Sequence, residues 1–249
     1  MPSASDLLPM PFDWVYIPDS KISLIELGGY LQKITSYKVA GFQISQYPIT
    51  NAQYRLFVNG GGYSTEKYWT LAGWRICKHE NWLHPAYWDN PQLNGDDYPV
   101  VGVSWYEAIA YCRWLSEMSG ENITLPTEQQ WQYAAGGDEQ FEYPWGNGWD
   151  ESRCNYQLGL PTPVNQYDGL GDSPFGVADM VGNVHEWTLT IFESGMTDLD
   201  DSSERQTRGG GWKGDDDPDN MRIWRRKRRS LKPEKRLNHL GFRIVALYD

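Results

Sequence analysis

Three cysteines, four histidines and two opposed runs of charge are the residues of this chain best suited to chemistry. Cys77, Cys112 and Cys154 lie too far apart for a paired-cysteine metal site, and their odd number argues against a disulfide framework. They read as free thiols of a reducing compartment, so the expected location is cytoplasmic. His185 has no ligand partner at a fixed spacing and is expected to pack beside Trp187. Residues 222–236 carry nine Lys or Arg against one acid, Glu234, in a chain whose net charge is −11. Upstream lie Asp198, Asp200 and Asp201, then Asp215, Asp216, Asp217 and Asp219. Such asymmetry implies either an internal acidic–basic pairing or a site for an anionic partner. Nucleic acid is not the expected partner, because the molecule as a whole is acidic and repels a long polyanion.

The elements that must position these groups are rich in rings. Thirteen Trp, sixteen Tyr and seven Phe supply most of the apolar volume, and their N–H and O–H groups need partners once buried. Twenty-five Gly and fifteen Pro call for many turns rather than a helical bundle. No apolar run approaches the ~18 residues of a membrane span, and residues 1–12 lack the layout of a secretory signal, so no membrane association is expected. Strands are predicted at 12–18, 23–27, 37–45 and 241–247 from alternation and β-branched content. Thr50 is positioned to cap a helix over 51–58. Ser104 and Glu107 form a capping-box pattern ahead of a longer helix that stops at Gly120, and Thr127 caps a short one ending near Gly136. Residues 63–99 hold too many Trp and Tyr to stay solvated and read as a long ordered excursion. With no linker or repeat, residues 1–249 read as one domain.

Seven strings then occur in order: residues 41–51 (GFQISQYPITN), 99–105 (PVVGVSW), 125–131 (LPTEQQW), 143–146 (YPWG), 179–187 (DMVGNVHEW), 208–212 (RGGGW) and 241–243 (GFR). Together they resemble the formylglycine-generating-enzyme, or sulfatase-modifying-factor, family. The resemblance spans roughly residues 12–247 and implies an α+β fold of the C-type-lectin-like kind: two helices, small antiparallel sheets and much irregular structure. It also implies a calcium ion held by Asp179, the carbonyls of Gly182 and Val184, and Glu186, an oxygen-only set suited to a hard cation. The family's other calcium site looks impaired. Asn155 and Tyr156 match its first half, but the rest has no counterpart.

The departure from the family lies in catalysis. Active members hold Cu(I) with two cysteines, at places that read Trp212-Lys-Gly-Asp and Met221-Arg-Ile-Trp224 here, and no cysteine follows Cys154. Soft thiolates are what Cu(I) selects, so neither copper nor the oxidase reaction is expected. Some relatives are variable proteins of diversity-generating retroelements, in which a C-terminal stretch is rewritten while a framework survives. By that resemblance residues 209–243 form a variable region on the framework 209–212, Arg222, Pro233, Arg236 and 241–243. The expected ligand-contacting residues are Trp212, Lys213, Asp215, Asp217, Asp219, Ile223, Trp224, Arg225, Arg226, Lys227, Arg229, Leu231, Lys232, Lys235, Leu237, Asn238 and His239. They would bind a protein or other ligand whose identity the sequence leaves open. The alternative is a formylglycine-generating-enzyme-like oxidase or other metal-dependent enzyme acting on a peptide or small molecule, with Asp215, Asp217 and Glu186 available as ligands.

Overall fold

A computed structural model describes residues 1–24, 31, 34–213, 218–226 and 230–248. Every α-helix in it starts behind a Ser or Thr whose hydroxyl accepts the N–H three residues on, which satisfies a donor that the first turn leaves orphaned. Ser3 precedes α1 (Ala4–Leu7), Thr50 precedes α2 (Asn51–Asn59), and Thr70 precedes α3 (Leu71–His79). Ser104 precedes α4 (Trp105–Ser119) and Thr127 precedes α5 (Glu128–Gly136). Gly120 closes α4 in the left-handed region at φ 76°, where a Cβ would be strained.

The described residues thus hold five α-helices rather than the two implied by resemblance. The excursion at 63–99 contains α3. Its ring content hid the helical period, and Thr70 was the available signal.

The strands form three small sheets. β1 (Trp14–Ile17), β4 (Phe42–Ser45), β10 (Val245–Leu247) and β5 (Asn122–Thr124) make one, all antiparallel. A hairpin pairs β2 (Ser20–Leu24) with β3 (Thr35–Val39). In the third, the order is β8 (Ser230–Leu231), β7 (Arg205–Gly209), β6 (His185–Ile191) and β9 (Leu240–Gly241), with β6 and β9 parallel. Two predicted strands are each split between sheets. The stretch 37–45 breaks at Ala40-Gly41, and 241–247 breaks at Phe242–Ile244, whose side chains are fully buried where the chain crosses between sheets. The strand predicted at 23–27 starts earlier, at Ser20, and its last three residues lie outside the described ones.

Rings fill the core, and most of the buried indoles are partnered. Tyr54 and Tyr111 stack with centroids 5.3 Å apart, and Phe242 meets both edge-on. The Nε1–H groups of Trp69, Trp105 and Trp187 donate to the carbonyls of Gly62, Thr188 and Val103. No helix among the described residues is long and apolar enough to cross a membrane.

Candidate functional site

Three fully buried glutamates, each on a different element, receive arginines from the C-terminal third of the chain. On α4, Glu107 accepts Arg236 Nη2 at 3.0 Å. At the start of α5, Glu128 Oε1 accepts from both Arg208 Nη2 and Arg226 Nε, the latter at 2.6 Å. On β6, Glu186 takes a two-pronged bond from Arg243, Nε to Oε2 at 2.7 Å and Nη2 to Oε1 at 2.8 Å, and Trp131 Nε1 adds a third donor at 2.7 Å. The remaining Arg243 donors reach the carbonyls of Ser45, Gln46 and Ala178. A planar guanidinium with five donors suits such a role, which lysine cannot fill. Burial pushes Glu107's carboxyl above its ordinary range, with Arg236 and the Tyr63 hydroxyl opposing the rise.

These pairs show where the basic run goes. Arg226 and Arg236 turn inward and Arg222 pairs with Asp219 (2.8 Å) and Glu142 (3.4 Å). Part of the expected acidic–basic pairing is therefore internal, although its buried partners are glutamates of the helices rather than the aspartates at 198–219. Sequence reasoning missed the triads at Glu128 and Glu186. It had noted Glu107 only as a capping residue, a role it does fill through Ser104 N–H at 2.7 Å.

Of the expected ligand-contacting residues, Asp215, Asp217, Lys227 and Arg229 lie outside the described ones. Ile223 and Arg226 are buried, and Ile223 packs so tightly on Gly136 that a Cβ there would come within 2.5 Å of its Cδ1. Trp212 is also buried, and its indole N–H donates to Asn238 O at 3.3 Å. Lys213, Asp219, Lys232 and Lys235 are exposed, whereas Trp224, Arg225, Leu231, Leu237, Asn238 and His239 are half-buried. Leu231, Leu237 and His239 line a pocket of 100 Å³ with His185, Thr207 and Leu240. The ring beside His185 is His239, edge-on at 5.5 Å, rather than the expected Trp187.

The residues implied for calcium follow one another through a turn and into β6. Asp179 and Asn183 both adopt left-handed backbone, φ 53° and 56°, and the turn delivers the chain into β6. The only hydrogen bond to the buried Asp179 carboxylate from described residues comes from Asn183 Nδ2, at 2.7 Å. Burial pushes this carboxyl up to about 7; Asn183 and Arg243 oppose the rise, and the nearby Glu186 adds to it. No described residue donates a hydrogen bond to the Gly182 or Val184 carbonyl. Gly209, at φ 78°, passes so close that a Cβ would sit 3.2 Å from Val184 O. A desolvated carboxylate and two undonated carbonyls fit a hard cation. Glu186 is the least available member, being already held by Arg243 and Trp131.

Copper fares differently. Cys77 and Cys112 lie on α3 and α4, Cys154 lies near Asn155, and all three are buried. Cys77 is fully buried and points at Trp82 O. Burial pushes the thiols of Cys77 and Cys154 up to about 11 and about 12, and that of Cys112 further. Neutral thiols dispersed in this way do not fit a Cu(I) site, which takes thiolates.

Comparison with known proteins agrees with the geometry. A family model described as "Sulfatase-modifying factor enzyme 1-like domain" matches residues 25–247. The chain is 32% identical over 246 residues to "Inactive C-alpha-formylglycine-generating enzyme 2" of Mus musculus, covering 84% of this chain and 76% of that protein. It is 31% identical over 188 residues to "Formylglycine-generating enzyme" of the same organism, covering 60% of this chain and 49% of the relative. Among solved structures, PvdO from Pseudomonas aeruginosa superposes with TM-score 0.72 at 20% identity, covering 94% of each chain. Treponema denticola variable protein 1 superposes with TM-score 0.67 at 20% identity, covering 94% of this chain and 95% of that one. With the fold, the ordered strings and the matched span in agreement, this chain belongs to the sulfatase-modifying-factor (formylglycine-generating-enzyme-like) family.

Proposed function

We propose that this chain is a non-catalytic ligand-binding member of its family, with its C-terminal region as the contact surface. The observation that carries the reading is a division of labour within residues 208–243. Arg208, Arg226, Arg236 and Arg243 are tied to buried glutamates, whereas Lys213, Trp224, Arg225, Lys235 and Asn238 between them retain access to solvent. A segment anchored in this way can change its outward side chains with little effect on the core. Arg and Trp are also residue types enriched where binding energy concentrates. The likeness to a variable protein supports the further reading that these positions are diversified.

Catalysis by the copper route is not part of this function, because the sequence has no cysteine after Cys154. Calcium at Asp179, Gly182, Val184 and Glu186 would neutralise the desolvated Asp179 carboxylate and brace the turn entering β6; its role is structural. The match to formylglycine-generating enzyme at 31% identity keeps an enzymatic reading in view. Titration of the purified protein with Cu(I) addresses it, and tight uptake would favour the enzyme.

The test of the display surface is to sequence the codons for residues 213–239 across a population of the source organism. Substitution concentrated at the outward positions, with 209–212 and 241–243 constant, is the expected result. A uniform segment would overturn diversification and leave a binder with one fixed partner.

A further inference from the structure

Sequence reasoning set His185 aside as a metal ligand because no second histidine stands at a fixed spacing from it. Folding supplies one. β6 and β9 pair in parallel with His185 opposite Leu240, and the His185 N–H donates to His239 O at 2.8 Å. Two residues 54 positions apart in the chain are thereby locked side by side. Their imidazoles sit edge-on with ring centres 5.5 Å apart. Gly211 passes against both: a Cβ there would come 3.2 Å from His185 Cδ2 and 3.3 Å from His239 Cβ, so a side chain at that position would push on the pair.

Two imidazoles bound to one tetrahedral ion through bonds of ~2.0–2.1 Å hold their ring centres about 5–5.5 Å apart. Edge-on packing alone also gives such a distance, but packing closes the space beside the rings. Here both rings line a pocket of 100 Å³, whose remaining wall is Leu231, Leu237, Leu240 and the buried Thr207. That is room for an ion with two water ligands. The tautomer of His239 also suits ligation. Its Nδ1 meets Asn238 Oδ1 at 3.1 Å. An amide oxygen only accepts, so Nδ1 carries the hydrogen and Nε2 is the basic nitrogen. A ligating histidine is oriented in this way, with its other ring nitrogen donating to a nearby oxygen.

We infer that His185 and His239 hold a divalent cation of the zinc class in this pocket. Imidazole nitrogen suits zinc, nickel or copper(II), whereas calcium and magnesium take oxygen. The site is therefore distinct from the turn at Asp179. The described residues supply no third His, Cys, Asp or Glu to the pair, so water fills the remaining positions of the ion and leaves them open to exchange. The inference does not depend on the C-terminal contact surface proposed above. His239 lies in the same segment, and it then belongs with the anchored framework rather than with the outward positions.

The experiment is titration of the purified full-length chain with Zn²⁺ in excess calcium, which occupies oxygen-donor sites. It is followed by calorimetry and by the ring-nitrogen NMR shifts of the four histidines. One equivalent should bind, and the signals of His185 and His239 should move together while those of His79 and His84 stay. His185→Ala and His239→Ala should each weaken uptake about tenfold or more, since losing even an outer partner of a metal ligand costs that much. His79→Ala, at the exposed His79–Glu80 pair, should leave uptake intact. No uptake, uptake that shifts only one of the two rings, or uptake abolished by His79→Ala alone would overturn the inference. The NMR shifts of the parent chain decide the matter even where a variant fails to fold. Failure here leaves the contact surface standing, because that reading is tested by codon variation.

Discussion

Glu128→Ala is the substitution that most directly tests whether buried ion pairs hold the C-terminal segment. Glu128 is fully buried, and one of its oxygens accepts from two guanidiniums that are themselves only 1% exposed. Its removal takes away the carboxylate that two buried cations share. Breaking a buried pair costs about 3–5 kcal/mol, chiefly because the surviving charge is stranded. Some compensation remains, since Arg208 keeps Ile223 O at 3.0 Å, Arg225 O at 3.3 Å and Gln132 Oε1 at 3.3 Å. Arg226 keeps the face of Phe192, 5.0 Å away. The expected loss is therefore about 4 kcal/mol, a large part of the roughly 5–15 kcal/mol that holds a domain together. For a chain of this size that lowers the melting temperature by roughly 8–16 °C.

The assay is thermal and urea denaturation of Glu128→Ala beside the exposed control Glu139→Ala, which should stay within about 0.5 kcal/mol of the parent. Trypsin provides a second readout. Arg208 pins the backbone at Ile223 and Arg225, so the variant should be cut at residues 222–226 well below its melting temperature. A loss under about 1 kcal/mol with no new cleavage would refute the reasoning, because it would mean that these cations are solvated in solution.

Other outcomes follow from the same geometry. Arg226→Ala should cost about 3 kcal/mol or more, whereas Trp224→Ala with Lys213→Ala should cost under about 1 kcal/mol; paired melting curves decide whether Arg226 belongs to the core. Asp179→Gly removes a desolvated carboxylate at a left-handed position, so it should not destabilise the protein in chelator, yet it should abolish any rise in melting temperature with calcium. An equal calcium response in the variant would exclude Asp179 as a ligand. Glu107's carboxyl is raised by burial, so its contribution is full below the ordinary glutamate range near 4.5 and declines as pH rises through the folded value. Glu107→Gln should flatten that decline in urea midpoints measured from pH 4.5 upward. With thiols pushed up to about 11 and about 12, Cys77 and Cys154 should resist iodoacetamide at pH 8 until the protein unfolds. Rapid labelling of the native chain would contradict their burial.

Much of the scaffold was legible because its signals are local. Thr50, Ser104 and Thr127 announced three helices through hydroxyl caps, and each cap bond is present. The strands at 37–45 and 241–247 were recognised by composition but not divided, because alternation along a chain does not reveal a change of sheet. The implied calcium residues were carried over from a family pattern, and they run through one turn into β6. The histidine pair was not legible. His185 and His239 are 54 positions apart in the sequence and meet only when β6 pairs with β9. The same distance problem hid Glu128 and Glu186, whose partners lie far along the chain.

The buried pairs also account for how a charged segment can be both anchored and permissive. An aliphatic anchor would hold residues 208–243 by area alone, and a shift in register would lose little specificity. Arg208, Arg226, Arg236 and Arg243 must instead find particular carboxylates, because a misplaced guanidinium stays buried and unpaired. Other donors of Arg208, Arg236 and Arg243 bind main-chain oxygens of Ile223, Arg225, Gly102 and Ala178, so these three ion pairs also fix backbone. Main-chain anchoring does not consult the neighbouring side chains. Positions such as Lys213, Trp224 and Lys235 can then vary in size and charge while the chain that carries them keeps its course.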